Sequence, residues 1–350
     1  MQTFIASVFV FGILIFFHEL GHFMVAKAVG IHVHEFSMGF GPRLWGFKRG
    51  DTVYNLRAFP LGGFVRMAGM DPNEDEEEPD YDEERGFNSK TVGQRAGVIA
   101  AGPIMNFVLA AVILALIFMT HGLPVPTTDV GMVLKDSPAY HAGIKEGDRI
   151  TSINGVPVEK WTELNKLVNS NAGKPIQITV ERGGVEKKIE VTPRLSKEGR
   201  YIIGIQNNPE KYVMEKMNPL TALWKGAEAT VQVTVLIITF VGKMIVQQAP
   251  MDIGGPVRVV AEIGQAAEKG VYQVLQLAAF LSINLGLFNL FPIPALDGSR
   301  LVFLAWEKIV GKPIDPAKEG FIHMIGFGLL LLMIVFITYN DIISLIAPGK

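Results

Sequence analysis

The stretch FFHELGHFMV, residues 16–25, places two histidines and a glutamate among phenylalanine, leucine and valine side chains. Ionisable groups in an apolar helix are rare, because each is costly to bury unless it is paired or functional. His18 and His22 are four residues apart and therefore share one face of a helix. This H-E-x-x-H spacing allows two imidazoles to bind one zinc ion, with Glu19 beside them as a general base. The stretch predicts a membrane helix with a metal site, and the alternative is a helix-end cluster that faces water.

The composition is typical of a membrane protein. Of 350 residues, 49% are hydrophobic and only 19% are charged, and the mean hydropathy is +0.30. Soluble domains are closer to one quarter charged. The net charge of −2 gives no basic field, so we expect no nucleic-acid partner. The chain has no cysteine, so a metal would be bound by histidine, aspartate or glutamate.

Four apolar segments are long enough to cross a bilayer core, which takes about 20 residues of helix. They are residues 1–28, which carry the H-E-x-x-H motif, 96–120, 270–297 and 320–345. The first lacks the basic start and the cleavage site of a signal peptide, so we interpret it as a retained span. We therefore predict a polytopic α-helical membrane protein with four core transmembrane helices.

Residues 221–247 are harder to assign. Only fourteen uncharged residues separate Glu228 from Lys243, which is short for a span. Polar residues recur at spacings of three, four and seven, which places them in one stripe on a helix. The pattern favours an amphipathic or membrane-associated helix. A fifth span is the alternative.

Residues 29–95 combine strand-like runs with an acidic stretch. A turn at Arg49-Gly50-Asp51 predicts a β-hairpin, and residues 62–69 read as a further strand. Ten of the fourteen residues in 71–84 are acidic, which is typical of a solvated, disordered loop. A regulatory contact is the alternative for this loop.

Residues 123–207 form a separate α+β module between the second and third spans. Apolar residues at 161, 164, 167 and 168 share one face of a helix. Residues 176–191 contain two strand-like runs that turn at Gly183-Gly184, which predicts a β-hairpin. The sequence therefore predicts a small domain inserted into a helical membrane protein.

A catalytic zinc site takes three protein ligands, so a third ligand is required. Asp297 is the candidate, since it follows Pro292 and Pro294, which lack an N–H donor and break a helix. Broken helices at membrane depth are tolerated where the backbone lines protein or a watery cavity. The alternatives are that Asp297 only caps the next helix, or that His32 and His34 bind the metal instead.

Two asparagines lie in the apolar run that ends at these prolines. Asn284 and Asn289 each need a hydrogen-bond partner, which a neighbouring helix or a bound peptide can supply. Asn289 is nearer the break, so we assign it to organising the substrate or the zinc site.

Together these residues resemble the site-2 protease family of intramembrane zinc metalloproteases, in particular the bacterial regulators of anti-sigma-factor cleavage. Residues 18–22 match the family's first motif, and residues 289–298 match its N-x-x-P-x-x-x-L-D-G motif. AGPIMNFVLA, residues 101–110, resembles its second span. The resemblance covers nearly the whole chain.

The resemblance implies specific roles for the motif residues. His18, His22 and Asp297 would bind one zinc ion per chain, and Glu19 would be the general base. Asn289 would bind substrate.

Other segments resemble further parts of the family. Residues 38–45 resemble its re-entrant β-hairpin, on the cytoplasmic side, and residues 60–67 its edge strand beside the active site. In that strand we assign substrate binding to Gly62, Gly63, Phe64 and Val65. The module at 123–207 resembles a PDZ domain, whose peptide groove we assign to Tyr201, Ile202, Ile203 and Gly204.

The function that follows is cleavage of transmembrane segments in regulated intramembrane proteolysis. The implied substrates are single-span membrane proteins already cut outside the membrane, such as anti-sigma factors or remnant signal peptides. The PDZ domain would exclude untrimmed substrates or bind a C-terminal peptide. A membrane metal transporter and a non-catalytic PDZ scaffold are the alternative functions.

Basic residues near the span ends predict the orientation. Arg43 and Lys48 follow the first span, and Arg300 and Lys308 follow the third, which favours the cytoplasm for both loops. The active site would then face the cytoplasm and the PDZ domain would be extracytoplasmic. The resemblance implies the inner membrane of a bacterium, with the lipid bilayer as a partner.

Overall fold

A computed structural model of the chain describes residues 1–70, 81–196, 199–246 and 254–346. By internal contacts the chain divides into two compact units. The first consists of Met1–Ile117 and Pro219–Lys350, and the second is Phe118–Asn218. The second unit is therefore an insertion in the sequence of the first.

The first unit is mainly helical. Its helices are α1 (Gln2–Ala28), α2 (Val92–Thr120, which continues into the second unit), α5 (Pro219–Ile245), α6 (Pro256–Lys269), α7 (Val271–Asn289), α8 (Asp297–Val310) and α9 (Pro316–Ile346). Among the described residues, α1, α2, α5, α7 and α9 are long and apolar enough to cross a membrane. The four predicted spans each fall on one of these helices.

Outside the four predicted spans, one helix was predicted and two were not. The predicted amphipathic or membrane-associated helix at 221–247 corresponds to α5, which also meets the length and hydropathy criterion for a span, so its place in or on the membrane stays a prediction. Helices α6 and α8 were not predicted, because both are amphipathic and short and lie next to longer apolar runs. Within the apolar segment 270–297, α7 ends at Asn289, so the helix is interrupted where Pro292 and Pro294 predicted a break.

A small β-sheet follows α1. Strands β1 (Val33–Arg49) and β2 (Thr52–Met67) turn at Gly50, whose positive φ of 60° suits the tight turn. Both strands bend, so residues 35–38 pair with residues 63–66 on one side and with residues 53–56 on the other. Residues 63–66 therefore form an edge of this sheet, with no further strand beside them in the described part of the chain.

The acidic stretch after this sheet is described only at its end. Residues 71–80 lie outside the described residues, so the prediction of a disordered loop is not addressed there. Glu83–Arg85 forms one 3₁₀ turn, and the Phe87 amide donates to the Ala68 carbonyl. This contact ties the segment before α2 to the end of β2.

The helices of the first unit approach one another through glycines. A Cβ on Gly21 of α1 would collide with the backbone of Ala101 in α2. A Cβ on Gly226 of α5 would collide with the Ala111 carbonyl of α2. Small residues of this kind allow membrane helices to pack at backbone distance. Helix α2 is thus in close contact with both α1 and α5.

The second unit is a small α+β domain. Its strands are β3 (Leu123–Pro126), β4 (Val130–Val133), β5 (Arg149–Ile153), β6 (Val156–Pro157), β7 (Ile176–Arg182), β8 (Val185–Val191), β9 (Arg194–Leu195), β10 (Tyr201–Ile202), β11 (Ile205–Asn207) and β12 (Tyr212–Glu215). Its helices are α3 (Pro138–His141) and α4 (Trp161–Ser170). The largest sheet has the order β6-β5-β7-β8.

The local pattern of the sequence explains this domain. Leu164 and Val168 of α4 are buried in a core of isoleucines and valines, with Trp161 and Leu167 packed against it. Strands β7 and β8 turn at Gly183-Gly184, with φ values of 60° and 77°. Positive φ at both positions is the type I′ geometry that short hairpins favour. The predicted helix face and the predicted turn are both confirmed.

We expect two glycines of α5 to respond differently to substitution. Gly226→Ala should destabilise the protein by about 1–3 kcal/mol, because the added methyl group has no space against α2. Gly242→Ala is the matched control, since nothing lies within 4 Å of its Cβ position. Thermal unfolding of the purified chain in detergent measures both. Equal melting temperatures for the two variants would contradict the packing of α5 against α2.

Candidate metal centre

Three side chains converge at the junction of α1 and α8. The Nε2 atoms of His18 and His22 lie 3.3 Å apart. Oδ2 of Asp297 lies 3.2 Å from Nε2 of His18 and 3.4 Å from Nε2 of His22. The three side chains are only 8–20% exposed. The structure thus brings together a pair of histidines and a carboxylate that are about 275 positions apart in the chain.

The geometry of this triangle fits a tetrahedral ion. Zinc binds histidine nitrogen and carboxylate oxygen at about 2.0–2.2 Å, so tetrahedral ligand atoms lie about 3.3 Å from one another. The three observed separations, 3.2, 3.3 and 3.4 Å, are close to that value. Oδ2 of Asp297 is buried and has no partner with hydrogen-bond geometry among the described residues. The three atoms are therefore close enough to one another to bind one ion together.

Local structure explains how each side chain reaches this position. His18 and His22 lie one turn apart in the uninterrupted helix α1. Asp297 is the first residue of α8, after the interruption that follows α7. Gly298 allows that interruption to close tightly, because a Cβ there would collide with the carbonyls of Leu290 and Phe291.

Residues of helix α2 contact the Nδ1 atoms of both imidazoles, on the side of each ring away from the metal centre. Nδ1 of His22 lies 2.8 Å from the Val98 carbonyl, and Nδ1 of His18 lies 3.1 Å from Nδ2 of Asn106. Gly102 of α2 leaves room for the His22 ring, since a Cβ there would collide with Nε2. Both Nδ1 atoms are therefore occupied, and both Nε2 atoms face the centre.

Glu19 lies between this centre and the edge of the sheet. Its side chain lies beside Val65 and Gly63 of β2. A Cβ on Gly63 would come within 3.2 Å of Cγ of Glu19. The structure therefore brings two of the four residues predicted for substrate binding in β2 next to the predicted base.

The other predicted substrate-binding residues occupy distinct positions. The Phe64 ring stacks on Phe40 at 6.2 Å and lies 5.3 Å from the Arg57 guanidinium carbon. Gly62 has a φ of 119° and lies against Phe40, so a side chain there is excluded by both space and backbone. Asn289 is the half-buried last residue of α7, seven positions before the loop ends at Leu296.

The rival ligands His32 and His34 lie elsewhere. Their rings are 4.6 Å apart and both contact Tyr81. Nδ1 of His32 lies 3.9 Å from Asp51 at the hairpin turn. Burial, with the positive charges of His34 and Arg85, lowers the pKa of His32 below its usual value. They do not join the histidine pair of α1.

The residues predicted for a peptide groove belong to the framework of the second unit. Tyr201 and Ile202 pair with β9, and Ile203 is 2% exposed in the domain core. The Ile203 carbonyl accepts from the Ala139 amide, and the Gly204 carbonyl accepts from the Leu134 amide. The groove assignment stays a prediction.

Sequence reasoning missed the residues of α2 that touch the histidines. Val98, Gly102 and Asn106 lie in or beside the quoted stretch AGPIMNFVLA, which was assigned only as a span. A signal was present, because Asn106 is an amide in an apolar run of the same kind that drew attention to Asn289. Nothing in the sequence indicates that a backbone carbonyl, that of Val98, binds His22.

The chain matches one family model and is similar to several known proteins. The model of Peptidase family M50 matches residues 6–333. "Zinc metalloprotease RasP" of Geobacillus kaustophilus is 36% identical, with 98% of each chain covered. "Regulator of sigma-W protease RasP" of Bacillus subtilis is 37% identical, with 98% of each chain covered. A PDZ domain of an SdrC-like protein from Listeria innocua is 27% identical over 25% of this chain and 99% of its own, with a TM-score of 0.22.

The family model and the two RasP relatives each extend over nearly the whole chain. The alternative functions, a metal transporter and a non-catalytic scaffold, are not favoured by them. The chain is a multi-pass membrane protein with zinc as its cofactor. It belongs to peptidase family M50 and is an intramembrane zinc metalloprotease of the site-2 type, acting in regulated intramembrane proteolysis.

Proposed function

We propose that this protease cuts transmembrane segments of single-span membrane proteins after a first cut outside the membrane. Anti-sigma factors and remnant signal peptides are the substrate classes. The observation that carries the proposal is the triangle of ligand atoms at 3.2–3.4 Å, next to a carboxylate that contacts a free sheet edge. The relative whose name includes the regulation of sigma-W supports the substrate class.

In the proposed site one zinc ion per chain is held by His18, His22 and Asp297. Bound zinc supplies Lewis acidity, which lowers the pKa of a bound water and polarises a carbonyl. Asn106 and Val98 orient the imidazoles. A histidine that offers Nε2 to a metal keeps its proton on Nδ1 and donates it to a neighbour. The Val98 carbonyl accepts from His22, and the Asn106 amide, with its oxygen toward His18, accepts from His18.

This orientation of Asn106 requires the amide oxygen and nitrogen to exchange places, so that Nδ2 takes the position without a partner. Its side chain is fully buried, and its Oδ1 is placed without a hydrogen-bond partner among the described residues. Amide oxygen and nitrogen are assigned from their hydrogen-bond network, so exchanging them gives Oδ1 the Nδ1–H of His18. The Asn106 backbone carbonyl is held separately by the Ser282 hydroxyl at 2.8 Å.

Glu19 acts as the general base in this proposal. It takes a proton from the attacking water and later gives it to the leaving amine, as positioned carboxylates do in related chemistry. Gly63 leaves room for the Glu19 side chain directly beside the sheet edge. A peptide on that edge would therefore meet the base directly.

Substrate would bind as an added strand. A transmembrane helix hides its carbonyls in internal hydrogen bonds, so hydrolysis requires an extended segment. Residues 63–66 have a free side at which an extended peptide can pair through its backbone. Asn289, at the end of α7, is proposed to hold the unwound segment. Gly62 and Phe64 shape the edge through their contacts with Phe40.

For location, we propose the bacterial inner membrane, with the active site toward the cytoplasm. The basic residues after α1 and at the start of α8 support this orientation. The inserted unit, which we propose is a PDZ domain, would then be extracytoplasmic. We propose that it excludes substrates that have not been trimmed, rather than binding their new C-termini.

Glu19→Gln tests the proposed chemistry. The variant should retain zinc, because the three ligands are unchanged, and should lose peptide cleavage by about 10²–10⁴-fold, the usual contribution of a general base. Zinc content by elemental analysis and cleavage of a single-span substrate in detergent are the two measurements.

Asp297→Asn is the matched control, since it replaces a carboxylate by an amide just as Glu19→Gln does. It should lower zinc content as well as cleavage. A Glu19→Gln enzyme that cuts at the parental rate would refute the assignment of the base, and an Asp297→Asn enzyme that keeps its zinc would refute the ligand set.

Excision of the inserted unit tests the exclusion role. Pro126 pairs with Tyr212 across β3 and β12, so residues 127–211 can be replaced by an Asn-Gly turn that keeps both strands. If the unit excludes untrimmed substrates, this variant should cleave intact and trimmed substrates at similar rates. The ratio of the two rates is the measurement.

A shortened chain with the same preference for trimmed substrate as the parent would contradict exclusion. Loss of cleavage of both substrates would contradict it as well, and would favour a role in substrate binding. Zinc content confirms that the shortened chain keeps its metal site.

A further inference from the structure

His323 is an ionisable side chain in a membrane helix that the proposed chemistry does not use. It lies in α9, in a stretch from residue 320 to 340 with no charged residue. Its side chain is 18% exposed. A polar group at this depth is costly unless it has a function, so its partners are informative.

One partner is the loop that carries Asp297. Nδ1 of His323 accepts a hydrogen bond of 3.0 Å from the Ala295 amide. Ala295 has a φ of 75°, a left-handed conformation that disfavours residues with a Cβ by roughly 1–2 kcal/mol. Ala295 is two residues before Asp297, so its conformation sets the direction in which the chain enters α8. The strained residue is therefore held by a side chain of another helix.

The His323 ring is itself held in one orientation. Because Nδ1 accepts, the ring proton is on Nε2, which lies 3.7 Å from Oε1 of Glu319, near enough for charge attraction but beyond hydrogen-bond distance. The ring also meets Phe303 of α8 edge to face, with centroids 5.7 Å apart. Contacts with residues of α8 and α9 thus orient the His323 ring so that its Nδ1 faces the Ala295 amide.

A second contact from α9 holds the same loop. Gly326 lies one turn after His323, and a Cβ there would collide with Pro294. The two positions of α9 therefore contact two consecutive residues of the loop. A cavity of about 460 Å³ borders Asp297, Ala295 and His323. Since no described side chain fills this cavity, packing restrains the loop less on the cavity side than it would in a closed core.

We propose that His323 is a positioning residue for the zinc site: its Nδ1 anchors the left-handed turn at Ala295 and so holds Asp297 at ligand distance from His18 and His22. The inference rests on the proposed ligation of zinc by Asp297. Partners that orient metal ligands typically change metal affinity by about 10–100-fold when they are lost. His323 acts through the loop and does not touch the reacting atoms.

Two polar variants separate the acceptor from the rest of the ring. Asn carries its amide oxygen near the position of Nδ1, whereas the longer Gln places its oxygen nearer Nε2. His323→Asn should keep zinc affinity near the parental value. His323→Gln should weaken it by about 10–100-fold. The measurements are competition with a chelator on the full chain in detergent and the visible absorption spectrum after Co²⁺ substitution, which reports ligand geometry without activity.

Two glycines of α9 provide a matched pair. Gly326→Ala should weaken zinc binding, because the added methyl group would push Pro294 away. Gly328→Ala should not, since nothing lies within 4 Å of its Cβ position.

Parental zinc affinity and Co²⁺ spectrum in His323→Gln would overturn the proposal. Equal losses in the Asn and Gln variants would overturn it too, because the acceptor would not matter. Parental affinity in Gly326→Ala would overturn the role of α9 in holding the loop.

Asp297→Asn separates this inference from the proposed function. If the parent binds zinc and Asp297→Asn does not, the ligand set stands, and the His323 variants test positioning alone. If Asp297→Asn binds zinc as the parent does, the ligand proposal fails first and the positioning role fails with it.

Discussion

A polar centre inside an apolar bundle requires that every buried nitrogen and oxygen has a partner. At His22 that constraint is met by helix–helix contact at backbone distance. Gly21 and Gly102 remove the side chains that would separate α1 from α2, and the Val98 carbonyl then reaches the ring of His22. A larger residue at either glycine would separate the helices and leave the imidazole without its support. The metal centre therefore depends on the close packing of the two helices as much as on the ligands.

The interruption between α7 and α8 is the second structural requirement. Prolines at 292 and 294 remove backbone donors, so the chain cannot continue as a helix through this depth. The remaining amides are satisfied locally or by α9, as at Ala295. The break allows a carboxylate at the start of a new helix to face inward. A continuous helix would have carried Asp297 past the histidines along its axis.

The sheet adds an extended edge to a helical protein. Because β1 and β2 are bent, residues 35–38 are central, and residues 63–66 form an edge next to Glu19. Two kinds of geometry thus meet at this site. Helix α1 holds Glu19 at a fixed position next to the histidines, and strand β2 presents a row of backbone groups beside it.

The sequence by itself determined the elements whose signal is local. The spacing of His18 and His22, the hairpin turn at Gly183-Gly184 and the apolar length of the spans each follow from neighbouring residues. Asp297 was a candidate with an alternative role as a helix cap, and only the tertiary structure brings its carboxylate to the histidines. Asn106 and His323 stand out as polar residues in apolar runs, but their contacts with the site, like that of the Val98 carbonyl, come from helices far away in the chain and were decided by the tertiary structure. Local periodicity determines which face of a helix is apolar and which is polar. The residues that contact each face are decided by how all the helices pack.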